Sequence, residues 1–284
     1  MIQIGGSIVE KLVIADSSCD LRSEPEKLEV VPLTIKVGDQ DFIDDDNLDL
    51  NKMLEALNTY SGKTSTSCPS VQSWVDEFNK ADECFAVTMT SALSGTYNSA
   101  RVASEMCIQK DPKKKITIFD TLSTGPEMAL IIEKIQELIK NNISFNKIGE
   151  IINEYLKKTH LLFTLKSLHN LAANGRVNKI IADVFDLLNM RMIAIASPEG
   201  TIKPLFKCRG SKNALSKMID YLKKEGYVGG KIRISYVVDS EDSDKLKQEI
   251  LTEWPNADIV TRPTTGLCSY YAEKGGILVG FESA

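Results

Sequence analysis

Hydroxyl and acidic side chains form clusters in this sequence. Most clusters follow the end of an apolar segment, and one, Thr64–Ser67, lies in a predicted loop. The clusters are Asp16-Ser17-Ser18, Thr64–Ser67, Ser91–Thr96, Asp120-Thr121 and Ser123-Thr124. Ligands of parallel α/β sheets bind at the carboxyl ends of the strands. Hydroxyl groups donate hydrogen bonds without adding charge. The clusters therefore predict a pocket for an anion.

The segment SALSGT, residues 91–96, is the most informative cluster. It follows a buried-strand pattern and precedes a helical one, so Ser94, Gly95 and Thr96 lie where a helix begins. The N–H groups of a helix start carry a partial positive charge. With no lysine nearby, the loop suits one carboxylate or phosphate better than a polyphosphate. The loop alone leaves open whether Ser94 binds the anion or only caps its own helix.

Familiar catalytic and nucleotide-binding motifs are absent from the sequence. There is no G-x-S-x-G elbow, no P-loop and no G-x-G-x-x-G fingerprint. The acidic run DFIDDDNLD lacks the glycine and closing glutamate of an EF-hand and is interpreted as a solvated turn. His160 and His169 are the only histidines, and neither stands in a motif. We therefore expect neither a serine–histidine nucleophile nor a metal site, and no cofactor.

Composition narrows the classes of partner. The formal net charge of the 284 residues is −5, and there is no broad basic surface for nucleic acid. No apolar run approaches the roughly 18 residues of a membrane span, so we expect no stable membrane insertion. Transient membrane contact stays open. Six scattered cysteines without C-x-x-C are typical of reduced thiols, which predicts a cytoplasmic protein.

The order of predicted elements indicates two domains. Strand and helix patterns alternate in the first half, which predicts a parallel sheet with covering helices. VVPLTIKVGDQDFID is predicted as a hairpin about Gly38-Asp39. Strand pairs without intervening helices in the second half predict a mixed or antiparallel sheet. We predict an α/β fold with an N-terminal domain of residues 1–158, a C-terminal α+β domain of residues 159–284 and a pocket between them.

Seven segments together resemble one known family. They are VIADSSCDL, VPLTIKVGDQDFID, TSCPS, SALSGTYNSA, NGRV, KCRGSKNAL and TTGLCSYYAEKGGILVGF. They occur in the order expected of a DegV-family protein and cover about residues 11–282. The segments that match S-x-L-S-G-T-[YF]-x-[SN]-A and T-S-x-P-S are the most specific of these marks.

The resemblance implies a two-domain DegV-like fold that buries a long-chain fatty acid. Family members are the fatty-acid-binding subunit of a bacterial fatty-acid kinase and are not themselves enzymes. A separate ATP-dependent kinase phosphorylates the carboxylate, and the acyl phosphate enters phospholipid synthesis. The residues that the resemblance places around the carboxylate are Thr66, Ser67, Ser94, Gly95, Thr96, Cys268 and Ser269. It implies that Arg176 and Arg209 contact the kinase or the phosphate.

Two stretches depart from the family pattern. The alignment places Cys268 and Ser269, followed by Tyr270 and Tyr271, where the family often has a histidine that touches the carboxylate. A D-[ST]-x-x-x-S-x-G segment becomes DTLSTGPEM, with Gly125 at the serine position and Glu127 at the second glycine position. Fatty-acid binding is still expected, while retention of the kinase contact, acyl chain length and saturation, and the oligomeric state stay open.

Two other functions compete with this interpretation. One is a stand-alone acyl or phosphoryl transferase that uses Asp16 or Asp120 as a base. The other is a carrier of a different amphiphilic anion, favoured by Cys268, Tyr270 and Tyr271.

Overall fold

A four-stranded parallel sheet is built from buried segments of the first half of the chain. The computed structural model describes residues 10–178 and 189–284. The strands, in spatial order, are β2 (Leu28–Val31), β1 (Lys11–Asp16), β6 (Glu83–Thr88) and β7 (Lys115–Asp120). Every pair of neighbours runs parallel. The predicted parallel sheet is confirmed, and four of the five hydroxyl and acidic clusters follow its strands β1, β6 and β7.

A small antiparallel sheet is formed by residues that lie between β2 and β6 in the sequence. Its strands are β3 (Thr34–Val37), β4 (Gln40–Ile43) and β5 (Thr64–Ser67), in the order β4-β3-β5. The predicted hairpin is confirmed, because Val37 pairs with Gln40 across the turn. The loop predicted at residues 64–67 is wrong, since this segment pairs with β3 over its whole length. Pairing with β3 satisfies its backbone groups, which the sequence pattern alone did not reveal.

The second half contributes a six-stranded mixed sheet, as predicted. Its strands, in spatial order, are β10 (Ile202–Arg209), β9 (Met190–Ala196), β8 (Thr159–Leu165), β13 (Ile277–Glu282), β11 (Lys231–Tyr236) and β12 (Asp258–Pro263). Only β11 and β12 run parallel within it. All its strands follow residue 158 and those of the other two sheets precede it, while the domain boundary itself stays a prediction.

Helices cover both faces of the parallel sheet. The helices within the described ranges are α1 (Leu50–Thr59), α2 (Val71–Phe78), α3 (Thr96–Lys110), α4 (Pro126–Lys140), α5 (Phe145–Tyr155), α6 (His169–Ala173), α7 (Ser211–Lys224), α8 (Glu241–Glu253) and α9 (Gly266–Ala272). Alternate residues of β1 face opposite sides. Val13 packs with α4 and α5, whereas Ile14 packs with α2 and α3.

The sequence pattern predicts a helix over residues 168–189 with a break at Asn174-Gly175, and the structure has the break there. The helix ends at Ala173 as α6, and Gly175 adopts a φ of +72°. The part of that prediction between residues 179 and 188 lies outside the described residues, as does the segment before residue 10.

Helix α4 joins the two halves of the chain. It packs against β1 and β6 of the parallel sheet and against β8, β11 and β13 of the mixed sheet. Arg233 on β11 donates from Nε to Glu133 Oε1 at 2.8 Å, and from Nη2 to Glu133 Oε2 at 2.6 Å. Gly280 on β13 leaves room for the start of α4, where a side chain would overlap the backbone of Pro126 and Glu127. The approach of this helix to the mixed sheet therefore fixes how the two halves meet.

The first turn of α4 buries a carboxyl group. Glu127 is 4% exposed and accepts a hydrogen bond from Thr159 Oγ1 at 2.8 Å. Burial raises the pKa of Glu127 to about 7, although hydrogen bonding lowers it in part. A folded-state pKa above the unfolded value means that folding favours the protonated form. The contribution of Glu127 to the free energy of unfolding is complete below the pKa that this group has in the unfolded chain. It is lost as pH rises through about 7.

We expect Glu127→Gln to flatten the pH dependence of stability. At pH 5 the variant and the wild type should have similar free energies of unfolding, because protonated glutamate and glutamine are alike. At pH 8 the variant should be more stable by about 3 kcal/mol. Urea unfolding at a series of pH values measures this difference. The exposed Glu150→Gln is the control, and a Glu127→Gln profile parallel to the wild type would contradict the assignment.

Candidate functional site

An apolar cavity lies above the carboxyl edge of the parallel sheet and is lined by both halves of the chain. Its volume is about 800 Å³ with its open mouth included. Apolar lining residues include Leu33, Met89, Leu161, Phe163, Leu165 and Leu278. Such a wall suits a hydrocarbon chain, because burial of apolar surface drives its binding.

Four polar residues on the wall form a set that we call the head-group set: Thr66, Ser94, Arg176 and Tyr271. Thr66 Oγ1 and Tyr271 OH are 2.7 Å apart and hydrogen-bonded. The guanidinium carbon of Arg176 lies 5.9 Å from the centroid of the Tyr271 ring. Arg176 is the only charged side chain that the structure places on this wall within residues 10–178 and 189–284. The set combines hydroxyl donors with one positive charge, as an anion requires.

Backbone contacts hold Arg176 beside the loop after β6. Its Nε donates to Leu93 O at 3.3 Å, and its Nη1 donates to Asn174 O at 2.6 Å. The arginine therefore ties the turn after α6 to the residue that precedes Ser94. The sequence predicted a turn beside Arg176, but not the element against which it would lie.

Ser94 bonds to the start of its own helix and also lines the cavity. Its Oγ accepts from Thr96 N at 3.3 Å and is 2.8 Å from Thr96 Oγ1, so it bonds to the first residue of α3. The same side chain lines the cavity. Gly95 is the N-cap residue and has no side chain with which to cap. Ser94 therefore stands at a helix start that also favours an anion.

Buried carboxylates position α9, the helix that carries Cys268 and Tyr271. Asp44 accepts from Gly266 N at 2.8 Å and from Leu267 N at 2.9 Å, and Asp20 Oδ1 accepts from Thr265 N at 2.9 Å. Burial raises the pKa of Asp44, and it raises the pKa of Asp20 to about 6.

The interpretation of DFIDDDNLD as a solvated turn is wrong for Asp44, which is 0% exposed. The backbone groups that donate to its carboxylate lie more than two hundred residues further along the chain. No local signal distinguished this aspartate from its solvated neighbours.

The structure places the other predicted carboxylate residues at different positions. Cys268 lines the cavity, but its Sγ contacts Ser18 O at 3.4 Å and Thr124 Oγ1 at 3.9 Å. Ser269 is buried, and its Oγ lies 2.7 Å from Thr264 Oγ1. Neither contact involves Thr66 or Ser94. The residues predicted to surround the carboxylate as one group therefore have separate sets of contacts.

The remaining predicted residues lie off the wall in the described part of the chain. Ser67 and Gly95 are exposed, and Thr96 is buried in the first turn of α3. Arg209 is exposed at the end of β10, where its carbonyl accepts from Asn213 Nδ2 at 3.0 Å. The cavity therefore brings together Thr66, Ser94 and Arg176, and adds Tyr271, which the sequence singled out only as a departure.

The protonation of the wall donors follows from burial. Burial raises the pKa of the Tyr271 hydroxyl, although Thr66 and Arg176 lower it in part. Burial also raises the pKa of the Cys268 thiol well above its ordinary value. Both groups therefore keep their protons at neutral pH and act as neutral donors.

The two aspartates considered as bases have structural partners. Asp16 accepts from Ser18 N at 3.0 Å and from Met89 N at 2.7 Å, and burial raises its pKa to about 6. Asp120 Oδ1 accepts from Ser91 N at 3.1 Å and from Leu122 N at 3.2 Å. Both carboxylates fix the loops that follow strands, and neither belongs to the wall in the described ranges.

Three further observations concern the chain as a whole. Cys19, Cys68, Cys84, Cys107, Cys208 and Cys268 are free thiols. The described residues contain no cluster of histidine, cysteine and carboxylate groups that could hold a metal. None of the helices described is both long and apolar enough to cross a membrane.

Comparison with known proteins places residues 11–283 under a family model described as "Uncharacterised protein, DegV family". A DegV domain-containing protein of Streptococcus pyogenes serotype M1 is 40% identical over 275 residues, which is 95% of this chain and 98% of that protein.

Two solved structures are similar over nearly their whole length. A DegV family protein from Eubacterium eligens, loaded with heptadecanoic acid, matches with a TM-score of 0.94 and 40% identity, over 96% of this chain and 100% of that one. The Streptococcus pneumoniae Fatty Acid Kinase (Fak) B3 protein, loaded with linoleic acid, matches with a TM-score of 0.94 and 41% identity, over 96% and 99%.

Proposed function

Because this chain belongs to the DegV family, we propose that it binds one long-chain fatty acid and presents the carboxylate to a separate ATP-dependent fatty-acid kinase. The observation that carries the proposal is the apolar cavity with Arg176 as its one charged wall residue in the described ranges. A fatty acid has the matching distribution of polarity, with a long hydrocarbon chain and one anionic end. The heptadecanoic acid and linoleic acid carried by the two similar structures support the same ligand class.

The hydrocarbon chain supplies most of the binding free energy. Each buried methylene contributes about 0.8 kcal/mol, so a chain of ~14 methylenes contributes roughly 11 kcal/mol before the costs of association. Those costs are roughly 4–15 kcal/mol. Micromolar or tighter binding is within reach without a strong ion pair.

The head-group set supplies the contacts that a buried carboxylate needs. An unpaired charge would cost several kcal/mol on entering an apolar wall. We propose that Thr66 and Ser94 donate to the carboxylate oxygens, while Tyr271 donates to Thr66 and fixes its orientation. Arg176 adds a positive charge beside them. Because Thr66, Ser94 and Arg176 are only half-buried, a kinase could approach the carboxylate from this side.

We propose a role away from the carboxylate for the predicted residues that are exposed. Ser67, Gly95 and Arg209 are exposed, and we propose them as surface for the kinase, together with Arg176.

We retain the two-domain division at residues 158 and 159, with the cavity between the domains, as part of the same proposal. The free thiols suit a reducing compartment, and we propose a cytoplasmic location.

Two measurements test the proposal in order. Mass spectrometry of the organic extract of the denatured protein should yield about one long-chain fatty acid for each chain. The protein loaded with radiolabelled oleate is then mixed with ATP and a purified bacterial fatty-acid kinase catalytic subunit. Acyl phosphate should form only when both proteins are present.

Each alternative predicts a different result. Phosphorylation or acyl transfer by this chain alone would favour the stand-alone transferase. A different anion in the extract, with no oleate taken up, would favour a carrier of another amphiphile. Oleate binding without acyl phosphate formation would retain the carrier and contradict the kinase partnership.

A further inference from the structure

The cavity wall carries a second polar group of residues, which we call the Ser123 patch: Ser123, Thr124 and Cys268. Ser123 and Cys268 are 2% and 4% exposed, so this patch is more deeply buried than the head-group set. Cys268 lies on α9 one turn before Tyr271, which is the residue that bonds to Thr66. The patch is therefore joined to the head-group set through α9 but has its own contacts.

Ser123 differs from the other hydroxyl residues of the wall. Thr90 Oγ1 donates to Gly200 O at 2.8 Å, and Thr201 Oγ1 lies 2.9 Å from Ser197 Oγ. Ser123 Oγ has no hydrogen-bond partner among the described residues. It lies near the Glu127 carboxyl group and affects the pKa of that group, but the two are not in hydrogen-bonding geometry. A buried hydroxyl without a partner costs roughly 1–3 kcal/mol, which a ligand group could recover.

The backbone around Ser123 is fixed, so its side chain is held at the wall. Ser123 N donates to Thr121 Oγ1 at 3.2 Å, and Ser123 O accepts from Thr90 N at 2.9 Å. Among the described residues, the polar contacts of Thr124 Oγ1 are two long ones, with Ser18 O at 3.4 Å and with Cys268 Sγ at 3.9 Å. The patch therefore offers one unused hydroxyl and one weakly bonded hydroxyl in an apolar surrounding.

Electrostatics favour a neutral group at this patch. Gly125 lies close to both the Asp20 carboxylate and the patch. A Cβ atom at Gly125 would lie 3.4 Å from Asp20 Oδ2 and 3.7 Å from Cys268 Sγ, so the buried Asp20 carboxylate adjoins the patch. The Glu127 carboxyl group lies near its other side. Arg176 is instead placed beside Tyr271 in the head-group set. A ligand carboxylate would be repelled at the patch, whereas an uncharged hydroxyl would not.

We propose that the Ser123 patch binds a hydroxyl group carried on the acyl chain, so that this protein accepts hydroxylated long-chain fatty acids. The inference rests on the proposed fatty-acid function and specifies its ligand class. A chain hydroxyl at the right carbon exchanges hydrogen bonds with Ser123 Oγ and offsets its own loss of water. A hydroxyl elsewhere along the chain meets apolar wall and loses affinity.

Competition binding on the delipidated full chain tests this inference. The probes are stearate and monohydroxystearates with the hydroxyl near the carboxylate, in the middle of the chain or near the methyl end. We expect one position to bind at least as tightly as stearate and the others to bind more weakly. Ser123→Ala should weaken the favoured isomer roughly 2- to 10-fold more than it weakens stearate.

Controls separate this inference from the function on which it rests. Ser91→Ala, at an exposed serine of the neighbouring loop, should change neither ligand. If Ser123→Ala weakens stearate and the favoured isomer equally, Ser123 contacts the carboxylate and the inference is overturned. Weak binding of every isomer, with no effect of Ser123→Ala, also overturns it while stearate binding stands. Failure of stearate to bind the wild type would contradict the proposed function, and the inference would fall with it.

Discussion

Ser94→Ala should weaken binding of a long-chain fatty acid such as oleate by roughly 10- to 100-fold, the effect of losing one hydrogen bond to a charged group. Ser94 lies on the cavity wall at the start of the fifteen-residue helix α3. Alanine removes the donor and leaves the wall otherwise intact. Isothermal titration of the delipidated protein with oleate measures the change in dissociation constant.

The same substitution also removes a bond that stabilises the protein without ligand. Ser94 Oγ accepts from Thr96 N, so the ligand-free variant should lose about 1 kcal/mol of unfolding free energy. Binding is therefore measured at 20 °C, well below unfolding, and Ser91→Ala serves as the matched control. Equal dissociation constants for the two variants would exclude Ser94 from the carboxylate site.

Gly280→Ala should be strongly destabilising, with a loss of about 3 kcal/mol or more. A Cβ at Gly280 would overlap backbone atoms of Pro126 and Glu127. A flexible side chain could move aside, but the first turn of α4 cannot do so without shifting against β8, β11 and β13. Urea unfolding measures the loss, and oleate titration should show weaker binding because α4 lies between the two sheets.

Gly149→Ala is the matched control for this prediction. Gly149 lies within α5, and a Cβ there meets no atom within 4 Å. Alanine is the better helix former, so this variant should gain up to about 1 kcal/mol. A Gly280→Ala variant as stable as Gly149→Ala would show that α4 does not press on β13 as described.

The Gly280→Ala and Glu127→Gln predictions both concern helix α4, the first through packing and the second through ionisation. Gly280 allows α4 to approach the mixed sheet, and Glu127 is buried by that approach. Glu127→Gln should change stability only above about pH 5, whereas Gly280→Ala should change it at every pH. This difference separates packing from ionisation at the junction of the two halves.

Local patterns in the sequence were sufficient for the elements and for part of the site. Short continuous apolar runs predicted β1 and β6 correctly, because strands of a covered parallel sheet are buried on both faces. The Gly38-Asp39 pair predicted the β3–β4 hairpin, since such residues suit a tight turn. Hydroxyls beside a strand end predicted Ser94 at the pocket, because strand ends in a parallel sheet share one edge.

Contacts between distant segments were decided only by the tertiary structure. Thr66 and Tyr271 are separated by 205 residues, and no periodicity relates them. Asp44 looked like its solvated neighbours until α9 supplied Gly266 N and Leu267 N as donors. The strand at residues 64–67 likewise depends on β3 as its partner.

The sequence by itself determined which residues could bind an anion, because residue type and local backbone pattern are properties of short segments. It also determined the two kinds of sheet, since periodicity and element order are read along the chain. The tertiary structure decided which of those residues share one cavity: Thr66, Ser94, Arg176 and Tyr271 meet there, whereas Arg209 does not. The physical reason is that burial and pairing depend on the neighbours that folding brings together, and those neighbours lie far apart in sequence.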